Sequence, residues 1–277
     1  VVRTRDNALM LSLEVTGIDG VTSGGAAVSA LRAGFAHLLD TLDERFTFYL
    51  HRMMRPAETG IVPIHGASFA ADIDKAWGRE LNRRSLQDSV LTLTVVRRQG
   101  TPLAVPIFGK AAARVWGEDT ARRLEELREV ASILETGLGI KTRRMKISDG
   151  SLVGFYASLL TGELRDHPRS PYCLLAEDAA GASVQFGKGL VEIEEGAATP
   201  KLAAVLYVKS YANATWPGML DALGAAQDTI ITHSYTPIER GSIAERVTRG
   251  WPKTETTADA PASSAAAWVC RMQRWSR

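Results

Sequence analysis

Apolar and polar positions follow two rhythms along this chain and change from one to the other often. Ala8–Val15, ALMLSLEV, reads as a strand that Gly17 and Gly20 bring to an end. Gly24 and Gly25 precede a helix over about 26–42, whose Val28, Leu31, Phe35, Leu38, Leu39 and Leu42 keep the three-and-four spacing of one face. Phe46–Met53 alternates as a half-buried strand, with His51 pointing opposite to Leu50. Arg55–Gly66 contains Pro56, Gly60, Pro63 and Gly66 and predicts a loop. Phe69, Ile73, Trp77 and Leu81 then recur at every fourth position, a stripe along one helix. Ser89–Val96 returns to the alternation of a strand.

The second half repeats the mixture. Its longest helix is predicted over about 118–138, with Leu124, Leu127, Ala131, Leu134 and Leu138 as the seam and Arg122 paired with Glu126 outside it. Ile140–Ile147 is a basic strand. Asp149 is placed to cap a helix over 150–160 that carries Leu152, Phe155, Tyr156, Leu159 and Leu160 on one face. After Pro168 and Pro171 come short strands near Val184 and Val191. Leu202–Val208 is an apolar run of strand length, long enough to be buried on both faces. Tyr211–Ala214 turns, and Thr215 with Pro217 starts a helix, because Pro needs no N–H partner in a first turn. Gln227–Tyr235 is β-branched and aromatic, and Thr236-Pro237-Ile238-Glu239 is a second helix start with a capping-box Glu.

Strands separated by single helices suit the split βαβ, ferredoxin-like pattern. The expected class is α+β, with antiparallel or mixed sheets under packed helices and as many as two ferredoxin-like units. A doubly wound sheet is disfavoured, since continuous apolar strands followed by Gly-rich turns are missing. One domain is expected over 1–249, with an internal boundary near 164–171. From Thr254 to Ala267 eleven of fourteen residues are Ala, Ser or Thr, so 250–277 is expected to be a disordered tail.

Composition changes this picture little. Hydrophobic residues make up 45% and charged residues 23%, enough for a core. Net charge is +2 (33 basic, 31 acidic), which gives no global pull toward nucleic acid or anionic lipid. Cys173 and Cys270 make no disulfide framework, and a reduced setting follows. No apolar run approaches the ~20 residues of a membrane-spanning helix.

Candidate chemistry is thin. A phosphate loop needs G-x-x-x-x-G-K-[ST], so that amides wrap the phosphates while Lys and a hydroxyl complete the site. Gly109-Lys110 is followed by Ala111, and Gly187-Lys188 by Gly189; neither qualifies. Gly66-Ala67-Ser68-Phe69-Ala70 is similar to a nucleophile elbow with Ala last, so a serine hydrolase using Ser68 is one reading and a helix cap at Ser68 is the other. Pro63 favours the cap, being a poor fit to a central strand. His37, His51, His65, His167 and His233 have no partner at ligand spacing, so no metal is expected. Arg83-Arg84, Arg97-Arg98, Arg122-Arg123 and Arg143-Arg144 admit a nucleic-acid-binding module, but lie on different elements without interleaved aromatics and read as solvated faces.

The stretch 201–247 carries the clearest identity. The order K-x-Y, T-x-PG-x-LDAL and a β-rich run ending in S-Y rests on Lys209, Tyr211, Thr215, Pro217, Gly218, Leu220, Asp221, Ala222, Leu223, Ser234 and Tyr235. It resembles the N-terminal domain of the type IV secretion and conjugation ATPases, the CagE/TrbE/VirB family, and the resemblance extends more weakly back to the first residue. It implies an assembly domain that docks a motor to other secretion subunits at the bacterial inner membrane, on the cytoplasmic side, with self-association as a further option. ATP and Mg belong to the family's RecA-like motor, which this sequence does not contain, so neither cofactor nor small-molecule ligand is expected here and the chain should not be catalytic by itself. Lys209, Tyr211, Thr215, Trp216, Pro217, Gly218, Leu220 and Asp221 are then signature residues of structure or interaction. Trp216 is either an interface anchor or a packing residue.

Overall fold

The computed structural model describes residues 1–18, 22–57, 68–84, 86–99, 110–162, 181–194, 200–207, 229–237 and 267–273. The elements are β1 Val2–Arg3, β2 Leu9–Val15, α1 Gly25–Thr41, β3 Phe46–Pro56, α2 Phe69–Arg83, β4 Gln87–Arg97 and α3 Lys110–Gly137. They continue with β5 Thr142–Arg144, α4 Ser151–Thr161, β6 Ser183–Phe186, β7 Val191–Glu194, β8 Lys201–Tyr207, β9 Thr229–Tyr235 and β10 Ala267–Gln273. Among the described residues the ten strands join one sheet in the order β1-β2-β4-β3-β9-β10-β8-β7-β6, and β5 shares with β1 the outer edge of β2. Every pairing among the described residues is antiparallel. The fold is therefore α+β.

Two antiparallel steps make a parallel relation, so β2 and β3 run parallel with β4 between them. With α1 as the connection this is a split βαβ unit. The same arrangement recurs where β8 and β9 flank β10. The connection between β8 and β9 lies outside the described residues.

Strand alternation builds the main core on one face of the sheet. Leu9, Leu11, Leu13 and Val15 of β2, Leu93 and Val95 of β4, and Phe46 and Phe48 of β3 meet Leu38 of α1 and Leu127, Val130, Ala131, Leu134 and Leu138 of α3. Leu13, Phe48, Val95, Leu127 and Leu134 are fully buried. Burial of each such side chain stabilises the fold by roughly 1.5–3 kcal/mol. The opposite face is covered by α4, which is buried almost all round.

Several expectations are corrected. The predicted loop from Arg55 begins two residues late, because β3 continues to Pro56. There β3 pairs with β4 alone, so the missing N–H of proline leaves no bond unmade on the other side. α3 starts at Lys110, ahead of the expected 118, since Ala111–Ala113 are strong helix formers. The basic strand contracts to Thr142–Arg144. The α4 N-cap is Gly150 at φ 79°, and Asp149 stands one position outside, accepting the Ser151 N–H at 3.0 Å. β8 buries only Ala203 fully; Val205, Leu206 and Tyr207 are exposed. Finally, the tail expected to be disordered contributes β10, whose Ala-Trp-Val-Cys-Arg-Met-Gln sequence has the β-branched and aromatic content that suits a pleated strand. The boundary expected near 164–171 falls outside the described residues.

Candidate interaction surface

α2 begins where Ser68, in extended backbone (φ −145°, ψ 161°), accepts the Ala71 N–H on its hydroxyl at 3.4 Å. This is the geometry of an N-cap, and Asp72 in the first turn adds a charge of the favourable sign. A nucleophile elbow instead strains its serine on a sharp strand-to-helix turn. Ser68 has no such strain, and its hydroxyl is engaged in holding the helix.

The side on which α2 packs is made of small residues. Ala71 and Gly78, seven positions and two turns apart, are buried, whereas Phe69 is 81% exposed, Trp77 55% and Ile73 52%. Leu81 is half-buried at the stripe's end. The helix therefore has small residues at its covered positions and turns its largest side chains outward. Glu80 and Arg84, aligned with the stripe, pair with each other at 3.8 Å. Three large apolar side chains in line on a solvent face are the kind of patch that marks a contact site.

A polar layer, unannounced by any motif, lies beneath α4. On the β2, β4 and β3 face opposite the main core, Ser12, Thr92, Thr94, Thr47 and His51 occupy the positions that alternate with the apolar ones, and all are buried. Ser12 Oγ lies 2.9 Å from Thr94 Oγ1 and 3.2 Å from the Tyr156 hydroxyl of α4. His51 Nδ1 lies 2.9 Å from Thr232 Oγ1 of β9, and the His51 ring meets Phe155 edge-on at 5.3 Å. Burial lowers the His51 pKa to about 4, so the ring is neutral at pH 7. Burial likewise raises Tyr156, against the lowering effect of its bonds to Ser12 and Thr94. These groups satisfy one another, as buried polar groups must. The alternating polar positions were visible in the sequence; that a helix would cover them was not.

The arginine pairs divide. Arg97 and Arg123 are 2% exposed, contrary to the solvated faces expected of them. Arg97 Nε bonds Glu126 at 2.7 Å while its guanidinium stands 5.5 Å over the Phe46 ring; Arg123 Nε lies 2.8 Å from Asp119, and its Nη1 donates to the Asn7 carbonyl at 2.6 Å. Arg122 reaches both Asp119, at 2.8 Å, and Glu126, at 4.0 Å. Arg143 pairs with Glu14 and Arg144 with Glu135, and Arg83 and Arg84 both face Glu80. These partnered arginines serve structure, since carboxylates already answer the charge a nucleic-acid backbone would meet.

Among the described residues no group of three or more His, Cys, Asp or Glu is arranged to hold a metal ion. Of the histidines, His65 and His167 lie outside the described residues, as do Lys209, Tyr211, Thr215, Trp216, Pro217, Gly218, Leu220 and Asp221. Among the described residues no helix is long and apolar enough to cross a membrane.

Residues 1–103 match the family model of the type IV secretion system ATPase VirB4/TrbE, N-terminal domain. The match takes in β1 through β4 with α1 and α2, including the exposed stripe, and ends before the stretch 201–247 from which the resemblance was read. No curated protein matches the chain.

Proposed function

We propose that this chain is an assembly domain of a type IV secretion ATPase, one that docks to another subunit of the same secretion machinery through α2. The supporting observation is the outward row Phe69, Ile73 and Trp77, which lies within the segment matching the VirB4/TrbE N-terminal domain. A helix that seats itself by Ala71 and Gly78 leaves its aromatic side chains for a partner, and Trp is the residue most often found at binding hot spots. The working place is the cytoplasmic face of a bacterial inner membrane, where the machinery exports DNA or protein. Lys209, Tyr211, Thr215, Trp216, Pro217, Gly218, Leu220 and Asp221 form a second contact or structural element of the same domain.

Co-purification of the full chain with the inner-membrane subunits of its secretion system tests the reading. Trp77→Asp should abolish capture while the thermal midpoint stays in place. Capture that survives Trp77→Asp and Phe69→Asp together overturns it.

The chain itself is proposed to bind no ATP, because neither Gly-Lys pair has the following hydroxyl and the preceding glycine that a phosphate loop needs. Titration calorimetry with ATP and magnesium should show no binding heat; a saturable signal at micromolar concentration would refute this.

A further inference from the structure

We infer that the slot between β8 and β9 is a binding site for an extended peptide, which β10 fills as an exchangeable strand and from which a partner's extended segment displaces it. The slot is set apart by topology. β8 and β9 follow one another along the chain, yet β10, reached through the connection 236–266, stands between them. It pairs with β8 at six positions, Trp268–Gln273, and with β9 at five, Ala267–Arg271, antiparallel to both. Among the described residues it is the only strand that joins β6, β7 and β8 to the rest of the sheet.

The two walls of the slot are held by other contacts. β9 pairs with β3 at seven positions, and His51 of β3 bonds Thr232. On the far side β8 pairs with β7 over Lys201–Ala203. Met53 of β3 and Ile230 of β9 join Ile193 of β7 and Ala203 of β8 in one apolar cluster, against which Leu159 of α4 packs. Lys201 Nζ donates to the Thr161 carbonyl at the end of α4 at 3.2 Å, and Phe155 of the same helix meets His51. α4 therefore bridges both halves of the sheet. With β10 withdrawn, the walls stay about 10 Å apart, two inter-strand spacings. The facing edges of Leu202–Tyr207 and Thr229–His233 are then left with unpaired amides and carbonyls. An entering peptide gains a ladder on each side, where a strand added to an ordinary sheet edge gains one.

β10 is poorly secured in this slot. Its long connection adds a loop-closure cost to holding it in place. Ala204–Tyr207 of β8 has no described strand partner except β10, and Val205, Leu206 and Tyr207 are exposed, so this wall frays when β10 leaves. The sequence of β10 states the chemistry accepted: seven extended residues without Pro or Gly, with aromatic and β-branched members.

Fluorescence anisotropy with a labelled peptide of the sequence Ala267–Gln273 tests the site. Val269→Pro in the full chain removes a ladder N–H from β10 and should free the slot. That variant should still melt cooperatively and should bind the peptide at least about tenfold more tightly than the parent, whose own β10 competes. The peptide carrying the same Val269→Pro change should not bind. A variant that loses its cooperative melt shows β10 to be integral to the fold and overturns the inference. So does a variant that binds no peptide, binds it no better than the parent, or accepts the proline peptide. Hydrogen exchange of the unaltered chain gives a second reading. Amides of Ala267–Gln273 and Ala204–Tyr207 should exchange about a hundredfold faster than those of Leu91–Val95, by local opening. Equal protection of the two groups would mean that β10 leaves only on global unfolding, against the inference.

Discussion

α2 and α3 carry the same signal in the sequence and meet opposite fates in the fold. In each, apolar residues recur at helical spacing along one side. In α3 that side, Leu127, Ala131 and Leu134, is completely withdrawn from water against β2 and β4. In α2 the side Phe69, Ile73 and Trp77 points outward, and the packing contact passes to Ala71 and Gly78. Periodicity finds a stripe, but it does not say what covers it. The small residues hold the missing information, because a helix can approach a surface closely only where its side chains are short.

Removing side chains from both helices should give the largest contrast. Leu127→Ala or Leu134→Ala should destabilise by roughly 2–5 kcal/mol through lost burial and a residual cavity. Trp77→Ala, though it deletes a larger side chain, should stay within about 0.5 kcal/mol of the parent, as surface substitutions do. Denaturant unfolding of the three variants checks this; a Trp77→Ala loss comparable to that of Leu134→Ala would put the stripe in the core.

Acid should separate the α4 side of the sheet from the other two regions. His51 has its pKa lowered to about 4 in the folded chain, against 6.5 for an unburied ring. Between those values the unfolded chain binds a proton that the folded chain does not, so stability falls as pH drops from about 6.5 toward 4 and levels off below. The loss is at most about 3 kcal/mol over that window. His233 is lowered in the same direction, also by burial. The lowered carboxylates Asp43 and Asp149 act with the same sign below the ordinary carboxylate value of 3.8, which keeps the two windows apart. His51→Gln should flatten the slope between pH 6.5 and 4; an unchanged profile would assign it to other groups.

Within α2, neighbouring positions should behave differently. Gly78 is buried, so Gly78→Leu must fit a side chain into a covered site, at a cost of roughly 1–3 kcal/mol, of which helix propensity returns at most about 1. Trp77→Asp next to it should be close to neutral for folding. Ser68→Ala, losing a long capping bond, should cost the least, about 0.5–1 kcal/mol. Thermal melts of these three rank the helix's two sides; a neutral Gly78→Leu would place its packing side elsewhere.

Much of the fold could be read from the chain. The alternation of β2, β3 and β4 and the three-and-four spacing of α1 and α3 are local signals that tertiary packing reinforced. What escaped was decided between distant residues. Thr92, Thr94 and Ser12 look like solvent positions until α4 is laid over them, and Arg97 looks like a surface charge until Glu126 and Phe46 close around it. β10 was hidden for a similar reason, since a short strand flanked by an Ala- and Ser-rich run shows no period of its own. The family-model match falls on 1–103, whereas the resemblance rests mainly on 201–247. The signature residues of that later stretch lie outside the described residues.

The pairing of β3 with β9 sets an order of events during synthesis. β2, α1, β3, α2 and β4 lie within the first hundred residues and can condense as soon as they emerge. The far side of β3, however, waits for a strand that arrives about 180 residues later; the bond between His51 and Thr232 spans 181 positions. Until then the stretch Phe48–Met54, seven residues of β3, lacks its partner on that side, which is the kind of edge that recruits foreign strands. The slow, long-range closure by β9 covers that edge of β3, and β10, arriving later still, covers the edge that β9 then offers.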